Sequence, residues 1–350
     1  MADTLNKGYI VNNYQSLLTH GHKRLREAAL AIIQEGIHKA DPGIGTHKAI
    51  KLSGHTLAVG KREYNLRSVD HVYVVGAGKG AFPIAESLEK ILGSRIDRGT
   101  ILVKKGERRR LKRIEVIEAG HPIPDNESIM GANRVLKIAS SAGSSDLVFA
   151  VITGGASALA TFPPEGVKLE EMQQLTDLLL KSGAPIRDIN VVRRHLSQLG
   201  GGRLVSHIQP AEAITLTLDT GAKGLPWPDM CLPDPSTFQD AIDVLIFYDL
   251  WDSVPCSIRD YLLTFKERPE KEIIKSFDGF KATMISVADP SGACEAAAKY
   301  AKEQGFNPAI LSTHIDGEAS VVGICMAGIA REIVEKQRPF IPPCALISGG

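Results

Sequence analysis

His71-Val72-Tyr73-Val74-Val75-Gly76-Ala77-Gly78-Lys79-Gly80-Ala81 runs from an unbroken apolar stretch into a glycine turn. An apolar run this short, closed by glycine, reads as a strand buried on both faces. From Lys79 to Leu92 the pattern becomes helical, with Ile84, Leu88 and Ile91 on one side. The alternation then repeats. Strands are expected over 99–103, 114–118, 147–152 and 213–218. Helices are expected over 125–142, capped by Asp125, and over 169–180 and 188–199. An earlier helix carries Leu25, Ala28, Ala29, Ile32, Ile33 and Ile37 and ends at Asp41-Pro42-Gly43.

Buried strands alternating with helices predict an α/β fold with a doubly wound, mostly parallel, Rossmann-like sheet. In such sheets ligands bind beyond the carboxyl ends of the strands. That selects the loops after Val75, Ile152 and Leu218. Residues 221–235 are proline-rich and aperiodic, helices follow over 237–249 and 256–265, and the charged stretch 266–275 reads as a linker. A second series then follows: strand 284–287, helix 291–304, strand 309–311, helix 318–336 and strand 344–347. The expected division is an N-terminal domain over 1–270 and the start of a second α/β domain over 280–350. The last strand runs into Ser348-Gly349-Gly350 with no crossover helix, so the second domain is expected to be incomplete.

The 350 residues carry 41 Lys and Arg against 40 Asp and Glu, a net charge of +1. Overall charge therefore gives no case for nucleic acid or an acidic membrane as partner. No apolar run reaches the ~18–20 residues that cross a bilayer, and residues 1–13 do not read as a signal peptide. The five cysteines are odd in number and lack a Cys-x-x-Cys pair, which argues against a disulfide framework or a zinc site. A cytoplasmic protein is expected.

Four segments carry candidate chemistry. In Gly76-Ala77-Gly78-Lys79-Gly80-Ala81, backbone N–H groups and Lys79 suit a phosphate or carboxylate. The relaxed dinucleotide fingerprint is met, but Val103-Lys104-Lys105 stands where a ribose-binding acid is needed. A Walker loop is excluded by spacing. Thr153-Gly154-Gly155-Ala156-Ser157 is a second glycine turn, with a hydroxyl at Ser157. Ala119-Gly120-His121-Pro122-Ile123-Pro124-Asp125 is a stiff loop that places His121 near the same sheet edge. Asn190, Arg193 and Ser197 are spaced to share a helix face. The basic run 104–113 reads as a solvated loop.

Taken together, these segments resemble the type 2 glycerate kinases, whose C-terminal domain is called MOFRL. The resemblance lies in Val74–Gly80, Ala119–Asp125, Thr153–Leu159, Ile189–Ser197 with Gly201-Gly202-Arg203-Leu204, Pro233-Asp234-Pro235-Ser236-Thr237, Ile310-Leu311-Ser312 and Gly317-Glu318-Ala319. It implies phosphorylation of D-glycerate by ATP, giving 2-phosphoglycerate, with Mg2+ or another divalent cation. It implies an active-site role for Lys79, and the chemistry of the matched segments adds Arg193 and Asp219 as catalytic candidates. Substrate or phosphate binding would fall to Gly76, Gly78, Gly80, His121, Gly154, Gly155, Ser157, Asn190 and Ser197. No metal ligand is singled out. The partners expected are glycerate and ATP, with a homodimer as a further expectation. Two departures predict impaired activity: 218–232 lacks the family's second acidic pair and Ser-Gly-Pro turn, and the MOFRL domain is only begun. The alternatives are an NAD(P)H-dependent hydroxypyruvate reductase, disfavoured by the missing acid, and a non-catalytic remnant that binds a sugar acid or nucleotide.

Overall fold

The computed structural model describes residues 10–107, 109–219, 227–268 and 272–350. They fall into two compact units. The larger contains Thr46–Leu218 and the described part of Gly224–Val287; the smaller contains the chain up to Gly45, Asp219 and Ala288–Gly350.

In the larger unit, β1 (Ile50–Ser53), β2 (Thr56–Val59) and β3 (Arg62–Asn65) form a small antiparallel sheet. The main sheet uses β4 (Val72–Ala77), β5 (Ile96–Lys104), β6 (Ile114–Ala119), β7 (Leu147–Ile152), β8 (Glu212–Leu218) and β9 (Ala282–Ala288). Its order is β6-β5-β4-β7-β8-β9. The first five strands pair in parallel.

Every residue of β4 and β7 is buried, as their apolar runs require. The two-residue period sends Tyr73, Val75, Val148 and Ala150 to one face, against the helices Asn126–Ala139 and Arg203–Ile208. Val72, Val74, Phe149 and Val151 go to the other, against the helix Ala81–Leu92 with its Phe82, Ala85 and Leu88. A separate helical core joins Leu169–Lys181, Ile186–His195, Phe238–Phe247 and Cys256–Lys266 through Leu175, Val192, Phe238 and Leu262.

The strand over 284–287 does not open a second series. It belongs to β9, the sixth strand of the main sheet, where Val287 and Ile285 pack with Phe149, Ile214 and Leu216. The division at 270–280 is therefore redrawn: the break falls after Val287, and the N-terminal helix goes with the C-terminal residues.

In the smaller unit, the helix Lys23–Lys39 packs on Pro290–Glu303, with Gly36 against Ala293 and Ala297. The parallel strands β10 (Asn307–Ser312) and β11 (Cys344–Ser348) lie beside the latter helix. Ile32 is buried there with Cys294, Ala301 and Ile347, whereas Leu25, Ile33 and Ile37 of the same predicted stripe stay exposed.

Phe149 is fully buried at the centre of the larger sheet. Phe149→Ala should cost about 3–5 kcal/mol, read as a fall in the urea midpoint of the transition that includes this sheet.

Candidate active site

The chain winds from β4 outward to β6, then returns to the other side of β4 as β7. The sheet's topological switch point therefore lies between β4 and β7, where such sheets bind ligands. The two glycine turns leave the sheet from these two strands.

The turns are locked together. The Thr153 N–H donates to the Ala77 carbonyl at 3.0 Å, and the Lys79 N–H to the Gly154 carbonyl at 2.9 Å. The Gly80 N–H donates to Thr153 Oγ1 at 2.9 Å. The Gly78 N–H reaches the Leu102 carbonyl at 3.0 Å, and the Ala81 N–H the Gly78 carbonyl at 3.2 Å. Gly78 has φ +142°, and a Cβ there would collide with Thr153. Glycine is thus required for the close approach of two backbones.

This corrects one expectation. The amides of Gly78, Lys79 and Gly80 are consumed inside the protein, so this bend offers no row of donors to an anion. The glycines build the turn instead. In the second turn, the amides of Gly154 and Gly155 donate to no protein group among the described residues. Lys79 bends over that turn. Its Cε lies 3.8 Å from where a Cβ on Gly154 would stand, and its Cγ 3.4 Å from the same point on Gly155. The Lys79 side chain is exposed.

His121 arrives from the loop after β6. Its Nε2 lies 2.9 Å from the Cβ position of Gly155, which has φ +94°. Burial pushes the imidazole pKa down from its ordinary value, and the charges of Lys79, Lys104 and Arg193 push it further. His121 is thereby biased towards the neutral form.

Arg193 and Ser197 meet Ser157 around a small cavity that Pro124, Thr161, Thr176 and Asp229 also line. The helix Ile186–His195 ends before Ser197, so the expected shared helix face is not kept. Ser197 Oγ instead accepts the Gly200 N–H at 3.0 Å. Asn190 is half-buried, does not line the cavity, and accepts Arg194 Nε on its carbonyl at 3.0 Å. Asp219 is exposed at the end of β8, donates its N–H to the Ala288 carbonyl at 3.0 Å, and belongs to the smaller unit.

Two acids missed as site residues stand out. Asp229 is 3% exposed and accepts Ser157 Oγ at 3.2 Å. Burial raises its pKa, against the pull of Arg194 and Ser157. Asp234 is buried in an ion pair with Arg194, which secures the helix carrying Arg193. The segment before Asp229 is aperiodic and departs from the family pattern, so no motif marks this acid; residues 220–226 of that departure lie outside the described residues. Cys231 beside it is a buried thiol pushed up to about 12 and is inert at neutral pH.

The fold is a doubly wound α/β sheet, with Lys79, His121 and the uncommitted Gly154 and Gly155 amides at its switch point. Residues 28–263 match a family described as a domain of unknown function, DUF4147. The chain is 39% identical over 328 residues to a glycerate 2-kinase of Pyrococcus horikoshii, covering 93% of itself and 73% of that relative. It is 37% identical over 292 residues to a D-glycerate 2-kinase of Thermotoga maritima, covering 81% of itself and 66% of that protein. A crystal structure of a glycerate kinase from Thermotoga maritima superposes with a TM-score of 0.76 at 32% identity, over 94% of this chain and 74% of that one. The chain belongs to the glycerate kinase family that carries this domain.

Nuclear magnetic resonance titration should place the His121 midpoint below that of an ordinary histidine. Lys79→Met should move it upward, because removing a neighbouring positive charge eases protonation. A midpoint that ignores this substitution would show that the two side chains do not meet.

Proposed function

We propose that this protein is a D-glycerate 2-kinase, transferring the terminal phosphoryl group of ATP to O2 of D-glycerate and yielding 2-phosphoglycerate and ADP. The observation that carries the reading is the meeting of Lys79 and His121 over the Gly154-Gly155 turn at the switch point, with Arg193 near enough for its charge to act on His121. Phosphoryl transfer asks a protein for positioning and charge neutralisation more than for covalent chemistry.

The roles follow from the chemistry of each group. The Lys79 ammonium and the Gly154 and Gly155 amides hold an anionic oxygen of phosphate or of the glycerate carboxylate. Arg193 supplies a second fixed positive charge with several N–H donors. Neutral His121 accepts the proton from O2 as that oxygen attacks phosphorus and the bond to the departing ADP oxygen breaks. Ser157 and Ser197 orient substrate from the cavity rim. Gly76, Gly78 and Gly80 act through the turn they shape, and Asn190 through the helix that presents Arg193. Asp219, at the end of β8, keeps its place in the reading as a candidate acid.

Mg2+ is a different matter. Among the described residues no group of three or more His, Cys, Asp or Glu side chains is placed to hold a metal ion. The donor set does not fit a resident metal centre, and no step above depends on one. A divalent cation would arrive on the nucleotide's phosphates.

The reductase alternative fares worse against the geometry. At the end of β5, where a nicotinamide dinucleotide needs an acid for its ribose, stand Lys104 and Lys105, the latter paired with Asp125 at 2.6 Å. Among the described residues no helix is long and apolar enough to cross a membrane. All five cysteines are free thiols, which supports a reducing, cytoplasmic setting.

The test is direct. The protein, given ATP and D-glycerate, should form 2-phosphoglycerate, and Lys79→Met should lower the rate by about 100-fold or more. Saturable binding of both substrates without turnover would instead identify a non-catalytic binder. NADH oxidation with hydroxypyruvate would identify a reductase.

A further inference from the structure

The cavity beside the cluster has a volume of about 20 Å3 and is lined by Ser157, Arg193, Ser197 and Asp229, with Pro124 and Thr176. That is room for one water-sized group. It is too small for a whole sugar acid. Two buried polar atoms at this cavity's lining residues have no hydrogen-bond partner among the described residues: Arg193 Nη2, a donor, and Asp229 Oδ1, an acceptor. Asp229 is buried and its other oxygen is already committed to Ser157.

Leaving a buried donor and a buried acceptor unmatched is costly, so the cavity calls for an occupant. The chemistry narrows what fits. An anionic oxygen would suit Arg193 and meet Asp229 head on. An ammonium would suit Asp229 and be repelled by Arg193. A methyl group would leave both atoms unmatched. A hydroxyl takes a hydrogen bond from one and gives one to the other, and it is the right size.

D-glycerate offers a carboxylate, the reacting O2 and one further hydroxyl on C3. We infer that this cavity is the subsite for the C3 hydroxyl, and that Asp229 with Arg193 selects the substrate for it. The inference rests on the glycerate reading above. Asp229 is thereby a specificity-determining residue.

Titration calorimetry with D-glycerate and D-lactate tests this, because D-lactate is D-glycerate without the C3 hydroxyl. The wild-type chain should bind D-glycerate about 10–100-fold more tightly than D-lactate, the worth of a hydrogen bond to a charged group. Asp229→Ala should erase that preference by weakening D-glycerate alone. Asp229→Asn, which keeps an acceptor oxygen, should retain most of it. Ser157→Ala, a gentler change with less risk to folding, should reduce the preference in the same direction. Lys79→Met should weaken both acids alike. Equal binding of the two acids by the wild type would mean that the cavity holds only water, and would overturn the inference while leaving the glycerate reading intact. So would an Asp229→Ala variant, folded by circular dichroism, that loses both acids equally. Failure of the wild type to bind either acid would remove the glycerate reading, and the subsite with it.

Discussion

Two parallel strands leave the sheet side by side, and the turns that follow them must pass within hydrogen-bonding reach of each other. Thr153 makes that crossing work. Its backbone and side chain bind the turn after β4 at Ala77 and Gly80. No side chain can stand between the two turns, which is why glycine occupies position 78. The candidate site inherits its precision from this lock, since Lys79 and the Gly154-Gly155 turn are held by the same few bonds. The Gly154-Gly155 backbone is fixed in advance and loses little freedom on meeting a ligand, and preorganisation of that sort favours both binding and catalysis.

The electrostatic character of the site follows from where these elements converge. Lys79, Lys104 and Arg193 all bias His121 against protonation. Behind them lie the buried acids Asp229 and Asp234, each close to an arginine of one helix. Lys79 is exposed to solvent, whereas Arg193 and Asp229 line the same small, largely enclosed cavity. In such surroundings a fixed cation acts on an anionic substrate far more strongly than it would in bulk solvent.

Much of the fold was legible because buried parallel strands write a continuous apolar run. The strand read over 71–75 and found at Val72–Ala77, the strand at 147–152 and the helix capped by Asp125 could be read directly. What escaped is instructive. The strand Ala282–Ala288 carries a local pattern like any other, and nothing local says whether it joins a distant sheet or begins a new one. The glycines of the first turn announced a tight bend correctly. Whether the Gly80 amide points at a ligand or at Thr153 depends on a partner 73 residues away. Ser197 fell outside its helix because the last turn ends at His195. Asp229 left no trace at all, for a lone acid in an aperiodic stretch becomes meaningful only when burial strips away its water.

The position of β9 has a bearing on biosynthesis. Its partner β8 is complete at Leu218, yet β9 begins at Ala282, so 63 residues must emerge between them. At ordinary elongation speeds that is a delay of roughly 3–13 seconds. During that interval the open flank of a nearly finished sheet stays unpaired on the ribosome, a template for any passing strand. A nascent chain built in this order is a natural client for chaperones that shield sheet margins.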